Sequence, residues 1–208
     1  MTFLAKYASR PNEQLFSALK RVLRYLKGTP DLGIGWTSDI KKMKSFKKNE
    51  LWGYADASYA DDEKSRRSTM GYIIYLNGGP VSWKTKLTPL VCISTADAEL
   101  VSACFCACEI MFLRNFLDAL GFTQDTPTCL YEDNEACIAI ATKPANRPRT
   151  KHINVRFMYL LERIQKGDIM MAHCPGERMT ADGFTKPLGF IKYELHGREY
   201  MCTPNGYF

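Results

Sequence analysis

The sequence lacks most of what marks a secreted, membrane or zinc-stabilised protein. Its eight cysteines form no Cys-x-x-Cys pair, and only three histidines are present. Structural zinc sites need Cys and His at short paired spacings, so none is expected. Five of the cysteines sit inside apolar helical or strand patterns, as small reduced core residues do, and no disulfide framework is expected. The N-terminal stretch MTFLAKYASRPNEQ has no signal-peptide core. No apolar run of about 18 residues is evident, so no membrane span is expected. No internal repeat is visible. These absences point to an intracellular, cytoplasmic setting.

What is present is ordinary for a globular chain: 208 residues, 46% hydrophobic and 24% charged. That length suits one sizeable domain with an appendage. The net charge of +6 allows a nucleic-acid partner without demanding one.

Along the chain, residues 11–27 read as a helix with Pro11 in its first turn and Gly28 and Pro30 as stops. Leu15, Leu19, Val22, Leu23 and Leu26 form its apolar stripe, and Lys20, Arg21, Arg24 and Lys27 a basic side. Residues 29–50 hold a possible strand, LGIGWTS, then a Lys-rich loop that marks a boundary. A compact domain is expected over 51–189, followed by a terminal helix and a loose end over 190–208. Strands are expected at 51–58, 70–76 and 80–86, the last two joined by an Asn77-Gly78-Gly79 hairpin turn. The clearest helix covers 94–120, capped by Ser94 and stopped by Gly121. Val101, Cys104, Phe105, Cys108, Phe112 and Phe116 are expected to face the sheet. A strand TCLYE, two helices, a strand at 167–174 and a short helix near 182 follow. Three antiparallel strands followed by αβαβα imply an α/β fold with one mixed five-stranded sheet, two of its strands parallel, flanked by helices.

Four acids stand at element ends with small neighbours: Asp56 in the first strand, Glu99 early in the long helix, Asp133 after the fourth strand and Asp182 in the short helix. Singly, each has a plain explanation, such as a solvated strand end for Asp56 or a helix N-cap for Asp133. As a set they suit cation binding, because carboxylates crowd together only around a counter-ion. Hard divalent ions prefer oxygen ligands, and two ions about 3.5–4 Å apart can drive an in-line phosphoryl displacement.

The motifs GYADASYADDEKSRRSTMGYIIYLNGGPVSWKTK, STADAEL, YEDNEACIAIA, RTKHINVRF and ADGFTKPL stand in order at compatible spacing. Together they resemble the ribonuclease H domain of copia-type LTR retrotransposon Pol polyproteins. LKRVLRYLKGTPDLGI resembles the thumb-like part of the reverse transcriptase in the same polyproteins, which assigns 1–28 to a thumb-like helical remnant and 29–50 to a linker. The resemblance implies a ribonuclease H-like fold and hydrolysis of the RNA strand of RNA–DNA hybrids with two Mg²⁺, or Mn²⁺, ions. It implies Asp56, Glu99, Asp133 and Asp182 as metal ligands, and His173 as an aid to proton transfer or product release. Ser58 and Asn134 become candidates for sensing the RNA strand, and Arg149, Lys151, His152 and Arg156 for substrate contact. Two positions depart from the pattern: Ser58 where a second Asp is usual, and Asn154 where Asp is usual. The resemblance begins after the polymerase palm, so the chain resembles a C-terminal fragment. The implied partners are a hybrid and the polymerase region of the same polyprotein, within a virus-like particle if the element is active. Two alternatives are a catalytically silent remnant that binds nucleic acid and an integrase-like strand transferase.

Overall fold

The computed structural model describes residues 2–36, 48–143, 151–203 and 206–207; for 2–3, 151–154, 203 and 206–207 it describes the backbone alone. In chain order the elements are α1 (Thr2–Lys6), α2 (Glu13–Gly28), β1 (Gly33–Ile34), β2 (Leu51–Ser58), β3 (Thr69–Leu76), β4 (Gly79–Leu87) and α3 (Thr95–Ala119). Then follow β5 (Thr128–Glu132), α4 (Glu135–Thr142), α5 (Lys151–Gln165), β6 (Ile169–His173), a 3₁₀ turn (Gly176–Arg178) and α6 (Asp182–Thr185). The chain continues through α7 (Phe190–Tyr200), β7 (Met201–Thr203) and β8 (Gly206–Tyr207).

The main sheet has the expected composition. Its order is β4-β3-β2-β5-β6, so β2 is central. β2, β3 and β4 are antiparallel, whereas β5 and β6 run parallel to β2. Asn77 and Gly78 both take positive φ, 52° and 80°, which is what a two-residue hairpin of the right twist requires. Gly53, Ala55 and Ala57 share one face of β2, and their small side chains let α3 lie close against it. A Cβ at Gly53 would already be 3.5 Å from Cys106 Sγ. Beyond α3, the core closes with Phe157, Leu160 and Leu161 of α5. Each such side chain, fully withdrawn from water, contributes about 1.5–3 kcal/mol.

The expected face of α3 is corrected in its second half. Leu100, Ala103, Ala107, Ile110 and Leu117 meet the sheet, while Cys108 is exposed and Phe112 and Phe116 are 62% and 53% exposed. The helix is apolar on several sides, and the small residues, rather than the rings, fit against the close-lying strand. Phe112 and Phe116 stack on each other instead, with ring centroids 6.4 Å apart. By length and composition α3 could cross a membrane, contrary to the sequence expectation, but half of its apolar window is buried in this fold.

The ends of the chain also differ from expectation. Asn12, not Pro11, opens α2, its side chain accepting from the Leu15 N–H at 2.8 Å. No residue of α2 is buried, so its leucine stripe faces outward over much of its area. The possible strand near residue 33 is only Gly33–Ile34, and it pairs antiparallel with Cys202 and Met201. The end of the chain is therefore not loose at β7. It forms a second, three-stranded sheet in the order β1-β7-β8.

Candidate metal centre

Asp56 lies near the C-terminal end of the central strand and is 1% exposed. Burial raises its pKa to about 6, against the pull of the Thr185 hydroxyl and the Lys186 ammonium. Thr185 donates its hydroxyl to Asp56 Oδ2. Behind the strand, the buried Ser102 hydroxyl of α3 donates to the Asp56 carbonyl at 2.8 Å and to the Gly71 carbonyl at 3.1 Å. One serine thus ties α3 to β2 and β3 where the acid sits.

Glu99 reaches this point because Ser94 starts α3 just below it. The Ser94 side chain accepts from the Asp97 N–H at 3.1 Å. Glu99 is buried, and its Oε2 has no hydrogen-bond partner among the described residues. Burial, then the charges of Glu132, Asp56 and Asp133, drive its pKa far above the usual carboxylate range.

Asp133 is not an N-cap. That place belongs to Asn134, whose side chain accepts from the Cys137 N–H at 3.0 Å and opens α4. Asp133, one residue earlier, is left free to face the other acids. Gly176 stands close behind it, where a Cβ would lie 3.2 Å from Asp133 Oδ2. Carboxylate oxygens of Asp56, Glu99 and Asp133 all lie within 4.8 Å of one another.

Asp182 does not join this trio. It is buried at the start of α6 and held by two lysines. Lys186 Nζ lies 2.5 Å from Asp182 Oδ1 and 3.5 Å from Asp56 Oδ1. Lys192 of α7 pairs with Asp182 Oδ2 and donates to the Gly176 carbonyl at 2.8 Å.

Sequence reasoning missed Glu132. Thr128, Leu130 and Glu132 alternate inward on β5, and that period places a carboxyl in an apolar row. Its Oε1 accepts from the Asn134 N–H at 3.1 Å, its Oε2 is buried without a hydrogen-bond partner among the described residues, and burial drives its pKa well up. It also missed Ser102, Thr185 and the two lysines. Of the other expected site residues, His173 is exposed at the end of β6 as the register partner of Glu132. Ser58 ends β2 opposite Thr69. Asn134 is committed to its cap through its side-chain oxygen. Arg156 lies over the Phe105 ring, 5.9 Å from its centroid. Arg149 and the side chains of Lys151, His152 and Asn154 lie outside the described residues.

The donor set fits a hard divalent cation. It is all carboxylate, it leaves a buried oxygen of Glu99 without a hydrogen-bond partner among the described residues, and the like charges of its members repel one another. A bound ion of this kind lowers the pKa of a coordinated water and offsets charge on a phosphate.

No protein-family model matches the chain. It is 33% identical over 196 residues to the retrovirus-related Pol polyprotein from transposon RE2 of Arabidopsis thaliana, covering 94% of the chain and 13% of that protein. It is 31% identical over 194 residues to the Pol polyprotein from transposon TNT 1-94 of Nicotiana tabacum, covering 92% of the chain and 14% of that protein. Among solved structures it is similar to LC11-RNase H1, isolated from compost by a metagenomic approach. There the TM-score is 0.49 and the identity 14%, over 66% of this chain and 93% of that one. The chain thus spans about one-eighth of the length of the polyproteins it matches.

Proposed function

Starting from a chain homologous over nearly its whole length to one segment of copia-type, retrovirus-related Pol polyproteins, we propose that it is a ribonuclease H-type nuclease cutting the RNA strand of RNA–DNA hybrids. The observation that carries this reading is the trio Asp56, Glu99 and Asp133, the first two buried, with carboxylate oxygens within 4.8 Å of one another. These residues would hold Mg²⁺ or Mn²⁺. Such an ion would supply an activated water and charge neutralisation at the scissile phosphate.

The chain's own part is positioning. Ser102 and the β2–β3 ladder fix Asp56, the Ser94 cap sets the height of Glu99, and the Asn134 cap leaves Asp133 free. Thr185 and α6 close the far side. His173, exposed beside Glu132, is the group we assign to proton exchange with solvent. Arg149, Lys151, His152 and Arg156 are assigned to the phosphate backbone, and Ser58 to the RNA strand. The two-ion form of the mechanism requires Asp182 to share a second ion with Asp56, and both of those acids hold Lys186.

The test is cleavage of a labelled RNA–DNA hybrid by the purified chain with Mg²⁺, compared with Asp56→Asn. Cleavage by wild type should fall by more than about 100-fold in the variant, beyond the usual cost of losing an outer-sphere partner. Equal cleavage by both would sink the assignment. A wild-type chain that binds hybrid and never cuts it would mark a catalytically silent copy.

A further inference from the structure

The acids of this site are unevenly supplied with positive charge. At one end, Asp182 faces an ammonium group on each oxygen: Lys186 on Oδ1 and Lys192 on Oδ2. Asp56 sits between the ends, with Oδ2 on the Thr185 hydroxyl and Oδ1 3.5 Å from Lys186 Nζ. At the other end Glu99 and Asp133 have no described lysine or arginine paired with them, and Glu99 Oε2 has no hydrogen-bond partner among the described residues.

Lys186 is at this position through local structure rather than by chance reach. It follows the last residue of α6, and its backbone N–H donates to the Asp182 carbonyl at 3.0 Å. That contact stacks residue 186 over residue 182, so the two side chains meet across one helical turn. Its side chain is 40% exposed, so it leans over the two buried carboxylates from the rim.

We infer that Lys186 is a built-in cation that replaces one of two divalent ions, so that the site takes up a single Mg²⁺ or Mn²⁺, through Asp56, Glu99 and Asp133. A second ion shared by Asp56 and Asp182 would have to enter where Lys186 already bridges them. At that separation two positive centres repel strongly in a partly dry site. Lys192, on the other oxygen of Asp182, adds to the barrier. The inference rests on the nuclease reading for the identity of the ion, but not for the count.

The experiment counts Mn²⁺ bound to the full chain, by calorimetric titration and by the paramagnetic resonance of free Mn²⁺, without nucleic acid. Wild type should bind one ion. Lys186→Met, which keeps the stem and removes the charge, should bind two. Asp182→Asn should still bind one, with affinity changed less than about 3-fold, whereas Glu99→Gln should lose at least about 10-fold. Two ions on the wild type, or none, overturns the inference, as does a folded Lys186→Met that binds one. If Lys186→Met does not fold, the wild-type count and Asp182→Asn decide between them. One Mn²⁺ without hybrid cleavage would uphold this inference and remove the proposed function; two Mn²⁺ with cleavage would do the reverse.

Discussion

Gly71 on β3 is the register partner of Asp56 on β2, and α6 occupies the space its missing side chain leaves. A Cβ at residue 71 would lie 2.8 Å from Phe184 Cβ and 2.8 Å from Thr185 Cγ2. The strand that carries Asp56 and the helix that carries Asp182 are held at their spacing by the absence of one methyl group.

Gly71→Ala should therefore push α6 outward. The expected cost is about 1–3 kcal/mol of stability, as for overpacking elsewhere. Thr185 should also be lost from Asp56, so hybrid cleavage should fall further than the stability change explains. Thermal denaturation and cleavage rates measure the two effects. A variant as active as wild type would take α6 out of the site.

Glu132→Gln keeps an acceptor for the Asn134 N–H and removes a buried acid from beside Glu99 and Asp133. The metal-free protein at pH 8 should gain roughly 1 kcal/mol, or about 2–4 °C in Tm for a chain of this size. A lower Tm in a scanning calorimeter would mean that the carboxylate itself is required.

The pH dependence of the metal-free protein follows from raised carboxyl pKa values. Burial holds Asp56 at about 6 in the folded chain and Glu99 and Glu132 higher still. The folded form therefore binds more protons than the unfolded one from about pH 4 upward. Stability from these groups is complete below that point and declines as pH rises through 6, by at most about 1.4 kcal/mol per pH unit for each group. Asp56→Asn should flatten the slope between pH 4 and 6 in urea titrations with chelator present. Mg²⁺ should stabilise wild type more at pH 8 than at pH 5. A wild-type stability that rises across this window with the same slope as the variant would contradict the assignment.

Asn134→Ala removes the α4 cap at about 1 kcal/mol. Because Asp133 is the adjacent residue, Mn²⁺ affinity should weaken as well. Asn134→Ser, which can cap, should restore both. Affinity that stays low in a recapped, stable Asn134→Ser would instead give Asn134 a direct role.

The strands of the main sheet were legible because each carries local instructions: alternation in 51–58, the Asn77-Gly78 turn, the Ser94 cap. Asp56, Glu99 and Asp133 were legible as acids at element ends, and the fold brings those three together. The orientation of α3 was not, since a helix apolar on several sides does not announce which side meets a sheet. Lys192 was missed for another reason. Lys192 and Asp182 sit on different elements, and only the path of the chain between α6 and α7 brings them into contact. Glu132 did leave a signal, its place in the inward row Thr128, Leu130, Glu132, although a carboxyl there reads as a strand end until its burial is known.

The pairing of β1 with β7 ties together two stretches that lie at opposite ends of the sequence. Tyr25 of α2 reinforces the tie by hydrogen bonding to Tyr193, the neighbour of Lys192. The second sheet thus works as a buckle, and α7 is the strap it holds. Removing the first 36 residues would leave every carboxylate in place. It would nevertheless unfasten the helix that brings one of the two ammonium groups to Asp182, and so alter the charge balance of a site to which those residues contribute no ligand.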